Sequence, residues 1–214
     1  MADQPAHSIE PQRRPKIAQW LFSPFVYVAG ATSLAIGVAA ILLAGLLGSL
    51  SSTHFDGVLD MHTGLRAPTR VFLMEGVLNW LCLAVVLFLL SKLVSRTSFR
   101  ARDLFGTQAM ARCPTVVTAL LALLPAYQRC TAYLSWQLLR VGGQVHLHSA
   151  DMVVFGLTVV VAIAAIVWMV ALMYQSYSTC CNIKGAKAIA TFVLGLLVAE
   201  AVSKLAIFKL LAII

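Results

Sequence analysis

Five runs of about twenty mostly apolar residues, at 25–50, 71–93, 105–126, 152–174 and 188–209, constrain this chain more than any other feature. A run of that length crosses the roughly 30 Å of hydrocarbon in a bilayer. Lipid offers backbone N–H and C=O groups no partner, so each run must be helical. Only 11% of the residues are charged and 60% are hydrophobic, whereas a soluble domain carries about 25% charge. The chain is read as all-α: a polytopic membrane bundle of five transmembrane helices over 25–214. Residues 1–24 hold Pro5, Pro11 and Pro15 with Arg13, Arg14 and Lys16. With no apolar period to pack, they are expected to form a disordered basic tail. The first run is longer than a signal-peptide core and is read as retained. Residues 127–141 mix Trp136, Leu138 and Leu139 with Arg129, Gln137 and Arg140. That segment suits an interfacial helix.

Charge sets the expected orientation. With the N-terminus on the cytoplasmic side, nine basic residues (Arg13, Arg14, Lys16, Lys92, Arg96, Arg100, Arg102, Lys184, Lys187) lie inside. Four, Arg66, Arg70, Arg129 and Arg140, lie outside. This obeys the positive-inside rule and leaves the C-terminus outside or lumenal. The net charge of +8 then reads as topology and contact with anionic lipids on the inner face, not as a nucleic-acid patch. The five cysteines, Cys82, Cys113, Cys130, Cys180 and Cys181, are odd in number and mostly near the inner side. They are not a disulfide framework.

The residues that break the apolar pattern are the candidate site. The last run contains Glu200 and Lys204, four apart. Its eleven Leu, Ile, Phe and Val residues contribute roughly −3 to −7 kcal/mol to insertion, and each central charge costs about 2.5–3.5 kcal/mol. The run is therefore marginal alone and should bury its charges against protein. Glu75 and Asn79 in the second run share a face at the same spacing. Helical rise puts Glu75 and Lys204 about 7 Å deep from the outer surface, and Asn79 and Glu200 about 13 Å deep. The matching depths predict that these two helices touch, with Glu75 meeting Lys204 and Asn79 meeting Glu200. Arg112 is expected to snorkel to the inner surface.

A second pattern is a ridge of small residues in the first run, Gly30, Ser33, Gly37, Ala40, Ala44 and Gly48, at spacings that keep them on one helix face. In lipid such faces pack helices closely, within the chain or between copies of it. Chemistry-bearing motifs are missing: there is no phosphate cradle, nucleophile elbow or catalytic carboxylate pair. His54, His62, His146 and His148 are read as lying in outer loops. His146, His148 and Asp151 are too few for a metal site. No catalytic residue, metal or cofactor is expected.

Three stretches carry a resemblance. They are Asp103-Leu104-Phe105-Gly106-Thr107 running to Arg112-Cys113-Pro114, residues 168–177, and Asn182-Ile183-Lys184-Gly185-Ala186-Lys187-Ala188. With five spans and a polar cytoplasmic tail, they resemble the YIP family of Rab-interacting membrane proteins, in its bacterial branch, over roughly 70–210. The Asp-Leu-Phe-Gly element is similar to that family's Asp-Leu-Tyr-Gly. The resemblance implies a non-enzymatic membrane protein, since eukaryotic relatives act in vesicle traffic by binding small GTPases and one another. Two functions follow as expectations. One is a membrane scaffold that associates with itself or with another membrane protein. The other is a small-solute, ion or proton transporter or channel using Glu75, Glu200 and Lys204. The membrane would be the inner membrane of a bacterium or an endomembrane of a eukaryote.

Overall fold

The computed structural model describes residues 17–95, 97–143 and 145–211. Apart from two two-residue strands, its regular elements are helices: α1 (Ile17–Phe22), α2 (Gly30–Ser51), α3 (Thr69–Val94), α4 (Ala101–Met110), α5 (Pro114–Ala122), α6 (Pro125–Leu139), α7 (Ser149–Cys181) and α8 (Gly185–Leu211). Four of them, α2, α3, α7 and α8, are long and apolar enough to cross a membrane. A fifth crossing results if the stretch Ala101–Ala122 and α6, bent by 79° from each other, count as one broken span. The breaks follow from the sequence. Pro114 and Pro125 start α5 and α6, where a missing N–H costs nothing and the fixed φ suits a first turn. A proline also disfavours helical backbone at the residue before it, and Leu124 is extended. The helix within 127–141 is thus a separate element that begins at Pro125 and ends in Arg140, whose φ is +56°.

Two boundaries differ from expectation. Residues 1–16 of the expected tail lie outside the described residues, but 17–22 are helical and Pro24–Val26 form a 3-10 turn. The segment is tied down: Trp168 Nε1 donates to Leu21 O (2.9 Å) and Gln175 Nε2 to Ser23 Oγ (2.9 Å). Further along, α7 has 33 residues, about 50 Å at the helical rise. It extends past the apolar run at both ends, over 149–151 and 175–181, and at its start His148 and Asp151 form a reciprocal capping box. Asp151 also takes Arg129 Nη2 at 2.5 Å and Nε at 3.1 Å. His148 and Asp151 are therefore a helix cap.

The small-residue ridge packs within the chain. Gly30, Ser33, Gly37, Ala44 and Gly48 are buried, Ala40 is half-buried, and Ile41 and Gly45 join the face. α4 and α2 approach so closely that a Cβ on Gly37 would overlap the backbone of Ala109 and Met110. Reciprocally, one on Gly106 would lie 2.5 Å from Gly30 O and 2.6 Å from Ser33 Oγ. Backbone contact of this kind gives dispersion and packing energy in an environment where the hydrophobic effect is weak. The face is thus filled by α4, α3 and α5 and is not open to a second copy. The Asp103–Thr107 stretch lies on α4, with Leu104, Gly106 and Thr107 fully buried. A polar seam joins α4 to α7: Thr107 Oγ1 lies 2.7 Å from Ser176 Oγ, and Gln108 Nε2 donates to Met173 O (2.9 Å).

Candidate functional site

α3 and α8 lie against each other, with Leu87 and Leu90 of α3 over Gly195 of α8. The space between their polar residues is occupied by the α2–α3 loop. β1 (Thr53–His54) pairs antiparallel with β2 (His62–Thr63), Thr53 opposite Thr63. This pinches residues 55–61 into a narrow turn whose apolar side chains Phe55 and Val58 are buried. The turn enters the end of the bundle and meets each of the intramembrane polar residues.

Glu75, 1% exposed, accepts from Phe55 N–H (Oε2, 3.1 Å) and lies 2.8 Å from His54 Nδ1 through Oε1. Asn79 donates its amide to Phe55 O. Glu200 accepts from Leu59 N–H (3.0 Å), and Lys204 Nζ pairs with Asp60 at 2.6 Å and with Glu200, one turn back, at 3.6 Å. The expected Glu75–Lys204 and Asn79–Glu200 pairs are therefore not formed. α3 and α8 do lie side by side, but the α2–α3 loop supplies nearer partners, including backbone N–H and C=O groups that need satisfying inside the bundle. From the sequence, His54 is placed in an outer loop and Asp60 is given no role. The signal that spoke otherwise is the mixing of Phe55, Val58, Leu59 and Met61 among the polar residues of that loop.

His54 is the best defined of these groups. Its Nε2 lies 2.8 Å from Leu65 O, an acceptor only, so Nε2 carries a proton. Nδ1 can then donate to Glu75 only if the ring is an imidazolium. The Glu75 hydrogen bond accordingly raises the His54 pKa above its usual 6.5, against the opposing effect of burial. The ring also stacks on Phe72, centroids 4.4 Å apart. A raised folded-state value means the ion pair contributes fully below the unfolded pKa of 6.5 and is lost as pH climbs through the folded value. Thermal unfolding in detergent should show stability falling on the alkaline side of 6.5, and His54→Gln should flatten that slope. A slope unchanged by His54→Gln would assign the titration elsewhere.

Under the turn lies a small, partly open cavity of about 30 Å³, walled by Ile41 and Ala44 of α2, Gly76 of α3, Thr115 and Thr118 of α5, and Ala165 and Met169 of α7. Phe55 and the stretch 57–61 of the turn complete its lining. Arg112, at the junction of α4 and α5, also lines it. Arg112 is 3% exposed, so it does not snorkel. Its Nε and Nη2 are buried without a hydrogen-bond partner. Among the described residues one group brings three potential ligand atoms within 4.8 Å of one another, Asp56, Asp60 and His62. Asp60 is already held by Lys204. The five cysteines are free thiols.

No family model matches the chain, and neither the curated proteins nor the solved structures contain a match to it.

Proposed function

We propose that this is a non-enzymatic multi-pass membrane protein that passes a small solute through its bundle, with the α2–α3 loop as a removable plug. One observation carries the reading: Glu75, Asn79 and Glu200 each hydrogen-bond the backbone of one short turn seated over a cavity. A scaffold needs no such turn, and an apolar loop outside the bundle would spare the cost of burying Glu75 and Asn79. The scaffold reading loses its specific support, because the small-residue face of α2 is filled within the chain. On the charge asymmetry, the plug faces outward, the N-terminus inward and the C-terminus outward. The YIP-type resemblance rests on the residues of 70–210 alone and adds a non-enzymatic character to the same proposal.

Flux from liposomes tests this. Asn79→Ala removes the donor to Phe55 O, worth about 1 kcal/mol net. The open population, and with it the leak of sodium, chloride or acetate, should rise roughly fivefold. Chromatography and helical circular dichroism would verify the fold. A folded Asn79→Ala protein no leakier than empty vesicles, with wild type equally tight, would refute passage.

A further inference from the structure

Arg112 has an arrangement that the plug does not explain. A buried charge without a partner is strongly unfavourable, and native bundles pair such groups or give them a task. Nε and Nη2 form the same edge of the guanidinium, the fork that takes two oxygens of a carboxylate or phosphate in parallel. Those two atoms are the ones left without a partner. The acids around the turn make their hydrogen bonds elsewhere, Asp60 to Lys204, Glu200 to Leu59 N–H and Glu75 to His54 and Phe55; the Glu200 carboxylate acts on Arg112 electrostatically, without a hydrogen bond to it. Beyond the guanidinium, most of the cavity wall is apolar, with Ile41, Phe55, Val58, Met61, Ile166 and Met169.

We propose that the small cavity is the floor of an anion site: once the turn is displaced, Arg112 binds the carboxylate or phosphate of a molecule whose apolar body takes the place of residues 57–61 along the α2 and α7 walls. The identity of the solute rests on the reading of the turn as a movable cover, since Nε and Nη2 are closed to solvent while residues 57–61 line the cavity above them. A lipid-derived acid entering from the bilayer and a small aqueous anion share this chemistry.

Equilibrium binding to the full chain in an uncharged detergent separates the sources and tests the site. The probes are dodecanoate, dodecanol of the same length, acetate and inorganic phosphate. Dodecanoate should bind at least about tenfold more tightly than dodecanol, as expected for charge-assisted hydrogen bonds. Arg112→Met should abolish the difference, and Arg112→Lys, which keeps the charge without the fork, should restore only part of it. Saturable acetate or phosphate binding lost in Arg112→Met supports the same site with an aqueous source. Equal binding of dodecanoate and dodecanol, binding unaffected by Arg112→Met, or no binding of any anion overturns it.

Stability provides a second readout. Ligand-free Arg112→Met should unfold at the same temperature as wild type or higher, because an unpaired buried charge has been removed. A large drop would mean that the protein itself pairs the guanidinium, and would overturn the site. Anion binding without flux leaves the site standing and refutes passage. Flux without Arg112-dependent binding does the reverse.

Discussion

Gly37→Leu is expected to yield no stably folded protein, and Gly37→Ala to cost at least the 1–3 kcal/mol typical of overpacking. The magnitude follows from what the new atom meets. A Cβ at Gly37 runs into the Ala109 carbonyl carbon and the Met110 nitrogen. Backbone of a neighbouring helix cannot rotate aside as a side-chain tip would, so α4 must withdraw along its length. That withdrawal would open the contact at Gly106 as well, and with it the Thr107–Ser176 hydrogen bond to α7. Thermal unfolding followed by size-exclusion chromatography measures the loss, with Ala39→Leu on the exposed side of α2 as a control expected to change little. A Gly37→Leu protein that folds normally but changes oligomeric state would return the ridge to an interface between copies.

Glu75→Ala should be the most damaging change among the polar residues, at about 3–5 kcal/mol, the usual cost of removing one member of a buried charged pair. It strands the His54 ring and leaves the Phe55 N–H without an acceptor inside the bundle. Glu75→Gln keeps an oxygen for Phe55 N–H and should cost less. Lys204→Met should cost little, since Lys204 and Asp60 are both roughly half exposed and such pairs contribute little. A double-mutant cycle between Glu75 and His54 checks the assignment: a coupling well below about 0.5 kcal/mol would mean that the two do not act as a pair.

The spans were legible because hydrocarbon imposes a single requirement, length in apolar residues, and α2, α3, α7 and α8 meet it without interruption. The third run was harder to read. Its polar and proline content, Thr107, Gln108, Arg112, Pro114 and Pro125, encodes two short helices, α4 and α5, and then a bend of 79° into α6, which a count of apolar residues cannot resolve. At the site, the sequence identified the residues that needed partners but not the partners they found. Depth arithmetic compares positions along helices, and a loop that folds back into the bundle has no position on that scale. Arg112 was misread for a related reason. Snorkelling assumes lipid on at least one side, whereas α2, α3, α5 and α7 line the same cavity and leave the side chain no route to the surface.

The range over which the turn makes its bonds implies an order of assembly. Its bonds to Glu75 and Asn79 join residues 20 to 24 positions apart. The hairpin of α2, turn and α3 therefore satisfies Glu75, the Asn79 amide N–H and the Phe55 backbone within itself and can enter the bilayer as one unit. The bonds to Glu200 and Lys204 reach across 141 and 144 positions. The last helix is the one whose charges make it a poor inserter alone, and it emerges after every partner it needs has been synthesised. Leu59 N–H and Asp60 wait at the right depth, so α8 enters against a prepared template.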